Sequence, residues 1–145
     1  MKKKKEKLVS LKIEDILKSQ RNKYPLLFID KVISCNPGIA ITSKKNFSYN
    51  EWFFPAHFDD EPNVPGFVQI ECLVQSFIMI FLSQSKFKNN KTNFIKTNAT
   101  FKKKIIPGDT LIIKSKLNSF DKGIATGVSN GFVDNKLVCT ASFTV

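Results

Sequence analysis

One long apolar stretch, residues 66–84, limits the folds open to this chain more than any other feature. It reads GFVQIECLVQSFIMIFLSQ and is apolar around most of the circumference of the helix that it predicts. Pro65 stands at the first turn, where a missing N–H does no harm. Gln69, Glu71 and Gln75 interrupt the run, and a carboxylate near a membrane centre costs about 2.5–3.5 kcal/mol. The stretch therefore predicts a helix buried inside a folded domain and not a membrane span.

The residues after this helix change to the alternating pattern of β-strands. Strands are predicted at residues 94–106, 110–120, 123–133 and 136–145, with turn signals PGD, DKG and DNK between them. Because these turns are short, the last three strands should form an antiparallel meander. Small residues occupy every second position of 123–133, and that face should allow close approach of the helix.

The residues before the long helix contain fewer regular elements. We predict a short amphipathic helix at 11–19, an extended segment KYPLLFIDKV at 23–32, a turn at 36–38, one strand at 39–49 and a proline-rich loop at 50–65. A helix buried on almost every side needs a strongly curved sheet around it. The length of 145 residues fits one α+β domain, which we place at 11–145 after a basic tail at 1–10 that we expect to be flexible and solvated.

Charge and cysteine content restrict the partners and the compartment. The net charge of +11 favours an acidic partner, but Arg21 is the single arginine, which disfavours sequence-specific nucleic-acid binding because bidentate contacts need arginine. One histidine and three widely spaced cysteines predict no metal site, and nothing predicts a cofactor. No apolar segment of a signal peptide follows MKKKKEK, and the odd cysteine number indicates a reducing compartment, so we expect a cytoplasmic protein.

The candidate chemistry lies where the proline-rich loop meets the long helix. His57 is the only histidine, and Glu71 follows it by fourteen residues inside the apolar run. Gly66 opens the helix, whose N-terminus offers free N–H groups and a partial positive charge. Gln75 lies one turn after Glu71 on the same face. An imidazole, a carboxylate and an oxyanion-binding site suit removal of a proton beside a carbonyl, followed by loss of a leaving group.

Four motifs, in order, resemble the FabZ-type (3R)-hydroxyacyl-[acyl-carrier-protein] dehydratases. The stretch AHFDDEPNVPGFVQIECLVQ is similar to the family pattern G-H-F-P-G-x-P-x-x-P-G-V-L-x-x-E-A-x-A-Q, with no gap between the histidine and the glutamate. KYPLLFIDKV resembles R-Y-P-F-L-L-V-D-R-V, and FKKKIIPGDTLIIKSKL resembles F-R-x-P-V-x-P-G-D-x-L. The final strands are also similar, so the resemblance covers nearly all of residues 11–145.

This resemblance implies a hotdog fold, in which a curved antiparallel sheet wraps one long central helix. It implies homodimers that share their active sites, with the histidine and the glutamate from different subunits, and that often assemble into hexamers. His57 would take the proton from C2 of the acyl thioester, and Glu71 would protonate the departing 3-hydroxyl group. The Gly66 N–H would bind the thioester carbonyl, Gln75 would orient the Glu71 side, and Phe58 and Phe67 would contact substrate. Glutamate at position 71, where dehydratase/isomerase relatives carry aspartate, favours simple dehydration.

The family's substrate carrier, acyl-carrier protein, is strongly acidic, so the lysine excess suggests a docking surface. The candidates are Lys44, Lys45, Lys102 and Lys103.

The sequence also departs from the family pattern. Asp59 and Asp60 replace Pro-Gly after the histidine, and Glu61 follows them. These carboxylates would either favour the protonated imidazole or point outward. Cys72, beside Glu71, is expected to be a packing residue and not a nucleophile, since no second histidine exists to activate it. Two other functions stay open: a hotdog acyl thioesterase, and a non-catalytic module that binds acyl-carrier protein or lipid.

Overall fold

A curved antiparallel sheet encloses one long helix in the computed structural model, which describes residues 8–145. In chain order the elements are β1 (Val9–Leu11), α1 (Ile13–Ser19), β2 (Lys31–Asn36), β3 (Ala40–Asn46), α2 (Gly66–Leu82), β4 (Lys96–Phe101), β5 (Thr110–Asp121), β6 (Ile124–Val133) and β7 (Lys136–Thr144). A short 3-10 turn at Ser85–Phe87 follows α2.

The sheet order explains how the helix is enclosed. The strands lie in the order β1-β2-β3-β5-β6-β7-β4, and each neighbouring pair is antiparallel. Helix α2 packs against β3, β5, β6 and β7, which form the middle of the sheet. The predicted hotdog fold and the predicted β5-β6-β7 meander are both confirmed. Strand β4 ends the sheet and pairs only with β7, so its other edge is unpaired within residues 8–145.

Burial of α2 agrees with the apolar pattern around its circumference. From Val68 to Leu82 its side chains are buried, except for Ile70 and Glu71. The small residues of β6 allow the helix to come close. A Cβ atom at Gly127 would lie 2.2 Å from the Phe77 ring and 2.4 Å from the Lys116 carbonyl oxygen. The predicted close approach along β6 is therefore confirmed at Gly127.

The first part of the sheet differs from the prediction. We predicted one strand before the long helix, whereas the structure has three, β1, β2 and β3. Both additional strands are short and irregular. The β2–β3 register shifts between Val32 and Ser34, and the β1–β2 register shifts between Val9 and Leu11. Such bulges interrupt the period-two alternation by which a strand is found in a sequence.

Several element boundaries also differ. Helix α1 begins at Ile13 and not at residue 11, because Leu11 pairs with Val32 in the sheet. Strand β4 covers only Lys96–Phe101 of the predicted 94–106, because the N–H groups of Lys102 and Lys103 both turn to the Val138 carbonyl. Helix α2 ends at Leu82, two residues earlier than predicted.

Residues 1–7 of the predicted basic tail lie outside the described residues, and β1 already begins at Val9. Among residues 8–145, neither helix combines the length and the apolar character needed to cross a membrane.

Candidate active site

His57 lies in the loop before α2, and its ring is held in one orientation. Its Nδ1 atom lies 3.0 Å from the Asn63 carbonyl oxygen. Because a carbonyl oxygen only accepts hydrogen bonds, Nδ1 must carry the proton. In the neutral ring, Nε2 then carries the lone pair and can act as a base. The backbone N–H of Asn63 returns a 2.9 Å hydrogen bond to the His57 carbonyl, which closes the loop between the two residues.

The acidic residues that follow His57 face the solvent. Asp59, Asp60 and Glu61 are all exposed. The Lys104 ammonium forms an ion pair with Glu61, and this hydrogen bond and charge lower the pKa of the Glu61 carboxyl. Of the two arrangements left open by the sequence, the outward one is observed. The Phe58 ring, 55% exposed, stacks on the His57 ring with 4.5 Å between the ring centroids.

A cavity of about 340 Å³ opens between His57 and the start of α2. Its lining comes from the loop, from the first turn of α2 and from the segment after β4. The lining residues are His57, Asn63, Val64, Gly66, Gln69, Phe101, Lys102, Lys103 and Lys104. The predicted members His57, Gly66, Lys102 and Lys103 are therefore brought together.

Gly66 begins α2 at the floor of this cavity. Pro65 precedes it and provides no side-chain cap, so the first N–H groups of the helix keep their donor capacity. The Phe101 ring packs directly over Gly66, where an added Cβ would lie 3.1 Å from the ring. The absence of a side chain thus lets both the ring and a ligand oxygen approach the helix N-terminus. Phe67, the next residue, is 62% exposed.

Glu71 lies in a different environment, beside the segment between α1 and β2. Its Oε1 atom accepts a 2.8 Å hydrogen bond from Gln75 Nε2 and a long 3.5 Å one from Asn22 Nδ2. Glu71 is half-buried, and it does not line the cavity beside His57. Within one chain, the structure therefore does not place the two predicted catalytic residues in one cavity.

Gln75 is hydrogen-bonded to Glu71 and to the backbone of the segment between α1 and β2. It is fully buried, and its Oε1 atom accepts a 2.8 Å hydrogen bond from the Phe28 N–H. Its Nε2 atom donates to the Leu26 carbonyl at 2.6 Å as well as to Glu71. The segment KYPLLFIDKV is thereby tied to the helix that carries Glu71.

The three cysteines behave as buried packing residues. Cys35, Cys72 and Cys139 are free and buried. Burial raises the pKa of all three thiols, that of Cys139 to about 12, which disfavours the nucleophilic thiolate. Cys72 is fully buried beside Glu71, in agreement with the predicted packing role. Within residues 8–145 no cluster of three or more His, Cys, Asp or Glu side chains is arranged to hold a metal ion.

The lysines that we considered for docking divide into two groups. Lys102 and Lys103 are exposed at the cavity. Lys45 is only 6% exposed, and its ammonium pairs with Glu51 and lies 3.8 Å from Asp30. Because that charge is buried and paired, Lys45 is not suited to contact a carrier protein. Lys44 lies on the other face of β3 and is half-buried.

Two polar residues of the site were missed in the sequence. Asn22 contacts Glu71 across 49 positions, and one chain carries no signal for such a contact. Gln69 had a signal, since it is a polar residue three positions after Gly66 in an apolar helix, and it lines the His57 cavity.

Comparison with known proteins agrees with the motifs. The model of the FabA-like domain family matches residues 21–142. The 3-hydroxyacyl-[acyl-carrier-protein] dehydratase FabZ of Clostridium tetani is 40% identical over 91% of this chain and 94% of its own length. The FabZ of a Wolbachia pipientis strain is 39% identical over 77% of this chain and 79% of its own. An uncharacterized protein, PH1136 of Pyrococcus horikoshii, shares the fold at 14% identity, with a TM-score of 0.67 over 88% of both chains. The chain belongs to the FabZ-type 3-hydroxyacyl-[acyl-carrier-protein] dehydratases of the FabA-like family.

Proposed function

We propose that this protein dehydrates a (3R)-hydroxyacyl thioester carried on acyl-carrier protein, in fatty-acid biosynthesis, and that His57 and Glu71 carry out the reaction. Family membership supports the reaction class. The observation that carries the residue assignment is the orientation of His57, whose Nδ1 is bound to the Asn63 carbonyl, which leaves Nε2 as the base in a cavity at the α2 N-terminus.

The proposed chemistry breaks two bonds and forms one double bond. His57 Nε2 removes a proton from C2, and the charge that develops on the thioester oxygen is stabilised by the Gly66 N–H at the positive end of α2. The electron pair forms the C2–C3 double bond while the C3–O bond breaks. Glu71 donates a proton to the departing hydroxyl group, which leaves as water. The product is a trans-2-enoyl thioester.

We further propose that the working unit is a homodimer in which His57 of one protomer acts with Glu71 of the partner subunit. Two features of the single chain support this arrangement. Glu71 does not line the His57 cavity, and the free edge of β4 lies beside that cavity through Phe101. An unpaired strand edge readily accepts another strand. The exposed Phe58, Phe67 and Phe101 side chains supply apolar surface around it. The proposed location is the cytoplasm, since the three cysteines are free.

Turnover of defined thioesters tests the catalytic assignment. A 3-hydroxyacyl chain would be supplied on acyl-carrier protein and on N-acetylcysteamine, and formation of the enoyl thioester followed by absorbance. We expect turnover by the parent and its loss in His57→Ala and Glu71→Gln, with Glu14→Gln, an exposed residue of α1, as the matched control. Release of free thiol without enoyl product would instead indicate a thioesterase, and tight acyl binding without turnover would indicate a binding module.

Mixing the two inactive variants tests the shared site. A dimer of one His57→Ala chain and one Glu71→Gln chain retains one intact site if the residues act across the interface. Random pairing of co-expressed chains should restore about a quarter of the parent activity, because half of the dimers are mixed and each has one intact site of two. Activity that stays at the level of the separate variants would contradict the shared site.

Docking of acyl-carrier protein is proposed at Lys102 and Lys103, the exposed lysines of the cavity. Charge reversal at both positions should raise KM for the carrier-protein substrate and leave the N-acetylcysteamine substrate unaffected. Lys122→Glu, in the exposed turn between β5 and β6, is the matched control. An equal loss with both substrates would contradict the docking role.

A further inference from the structure

Gln69 is a buried polar residue of the His57 cavity to which the proposed mechanism assigns no role. It lies in the first turn of α2, is 5% exposed, and lines the cavity together with His57 and Gly66. A glutamine at such a position needs partners for both ends of its amide group, because burial removes them from water.

The orientation of the Gln69 amide follows from the bond at its nitrogen end. Nε2 donates a 3.0 Å hydrogen bond to the Val64 carbonyl oxygen. The reversed orientation would place two oxygens against each other, since a carbonyl oxygen has no proton to donate. The Val64 N–H in turn donates to the Ile105 carbonyl at 2.8 Å, so the residue that accepts the Gln69 hydrogen bond is itself held in place. The free end of the side chain is therefore Oε1, and its position is fixed.

Gln69 Oε1 has no hydrogen-bond partner among residues 8–145, although it is buried. Orphan acceptors of this kind are uncommon in folded proteins. Neutral His57 presents an acceptor nitrogen, Nε2, and cannot supply the missing proton. Lys104 is paired with Glu61, and the exposed Lys102 and Lys103 form no hydrogen bond with Gln69 Oε1. Gln69, a lining residue of the cavity, thus has a fixed and buried acceptor without a donor.

We propose that Gln69 is a substrate-binding residue whose Oε1 accepts a hydrogen bond from a neutral O–H or N–H group of the thioester substrate. The proposal rests on the proposed function. The thioester group itself has no donor, so the bond must come from one of two places. One is the 3-hydroxyl group, and the other is an amide N–H of the phosphopantetheine arm that carries acyl chains on carrier proteins. Both are neutral donors, which an uncharged acceptor suits.

Substrates that lack one donor at a time distinguish two roles of Gln69: binding of the substrate, and support of the loop through its hydrogen bond to Val64. Gln69→Met retains the length of the side chain and removes both polar atoms, so it also removes the bond to Val64. Loss of that bond weakens every ligand equally, whereas loss of the acceptor weakens only ligands that carry the donor. Gln84→Met, the same substitution just beyond the opposite end of α2, is the matched control.

The first arm compares the loss that Gln69→Met causes with 3-hydroxyacyl thioesters of N-acetylcysteamine and of ethanethiol, since only the former has an amide N–H. The second arm measures binding of 3-hydroxyacyl and saturated acyl thioesters of ethanethiol to His57→Ala protein, with and without Gln69→Met. In one of the arms, Gln69→Met should weaken the donor-bearing ligand about tenfold more than the ligand without the donor, which is the effect of one lost hydrogen bond. The arm that responds identifies the donor.

An equal loss for both ligands in each arm would overturn the proposal, since Gln69 would then only support the loop through Val64. No loss in either arm would also overturn it. The binding arm needs no turnover and therefore tests Gln69 even if the parent fails to dehydrate any substrate. Failure of the proposed function and failure of the Gln69 assignment are thus distinguished.

Discussion

Replacement of Gln75 by methionine should destabilise the protein and disturb the Glu71 side of the site together. The buried amide makes three hydrogen bonds: it accepts from the Phe28 N–H and donates to the Leu26 carbonyl and to Glu71. Methionine preserves the length of the side chain but removes all three.

The magnitude follows from how much water can replace each bond. Phe28 is 2% exposed, so its N–H would be left buried without a partner, at a cost of about 1–3 kcal/mol. Leu26 and Glu71 are more accessible, so loss of their bonds should cost about 0.5–1.5 kcal/mol each. The expected decrease in the free energy of unfolding is roughly 2–6 kcal/mol. With a urea m-value of about 2 kcal/mol/M, the unfolding midpoint should fall by about 1 M or more.

Urea titration at a fixed protein concentration measures this decrease. Gln84→Met is the control, because the Gln84 Nε2 atom makes only one long hydrogen bond, 3.4 Å, to the Ile80 carbonyl oxygen. In the folded variant kcat should also fall, because Glu71 loses its shortest hydrogen bond. A midpoint for Gln75→Met that equals that of Gln84→Met would refute the reasoning, since the buried Phe28 N–H would then have found another partner.

Three further outcomes are expected. Gly127→Ala should destabilise the protein by about 1–3 kcal/mol or prevent folding, as judged by the thermal midpoint, because the new Cβ would meet the Phe77 ring and a backbone carbonyl. Lys104 lowers the pKa of the Glu61 carboxyl, so their ion pair stabilises the folded protein at a pH above the unfolded-state pKa of that carboxyl. This stability is lost as the pH falls through the lower folded-state pKa. The urea midpoints of Glu61→Gln and the parent should therefore differ slightly at pH 7 and converge in acid. A thiol reagent should leave the native protein unlabelled and modify three cysteines after denaturation, and rapid native labelling of Cys72 would contradict its burial.

The parts of the fold predicted well from the sequence are those with a single uninterrupted pattern. Helix α2 was placed within two residues because its apolar positions cover most of the circumference. Strands β5, β6 and β7 keep an alternating pattern between short turns. Strand β2 was not predicted: the extended segment at 23–32 overlaps only its first two residues, and the shift between Val32 and Ser34 breaks its alternation.

The burial of Lys45 could have been predicted from the alternation of β3. Ile41, Ser43 and Lys45 alternate along β3 and are all buried, so the period of the strand already assigned Lys45 to the inner face. The positive charge alone suggested a docking residue. Its partner Glu51 lies in the loop after the strand, and the path of that loop could not be predicted from local sequence.

Helix geometry supports the proposal that Glu71 acts in a site shared with a second chain. Successive residues turn by about 100° and rise about 1.5 Å, so Gln69 lies about 60° from Gly66 around the helix axis, whereas Glu71 lies about 160° from Gln69. Gly66 and Gln69 accordingly line the His57 cavity, and Glu71 faces Asn22 on nearly the opposite side. If both residues act on one substrate, as proposed, this placement favours a carboxylate that comes from another copy of the chain.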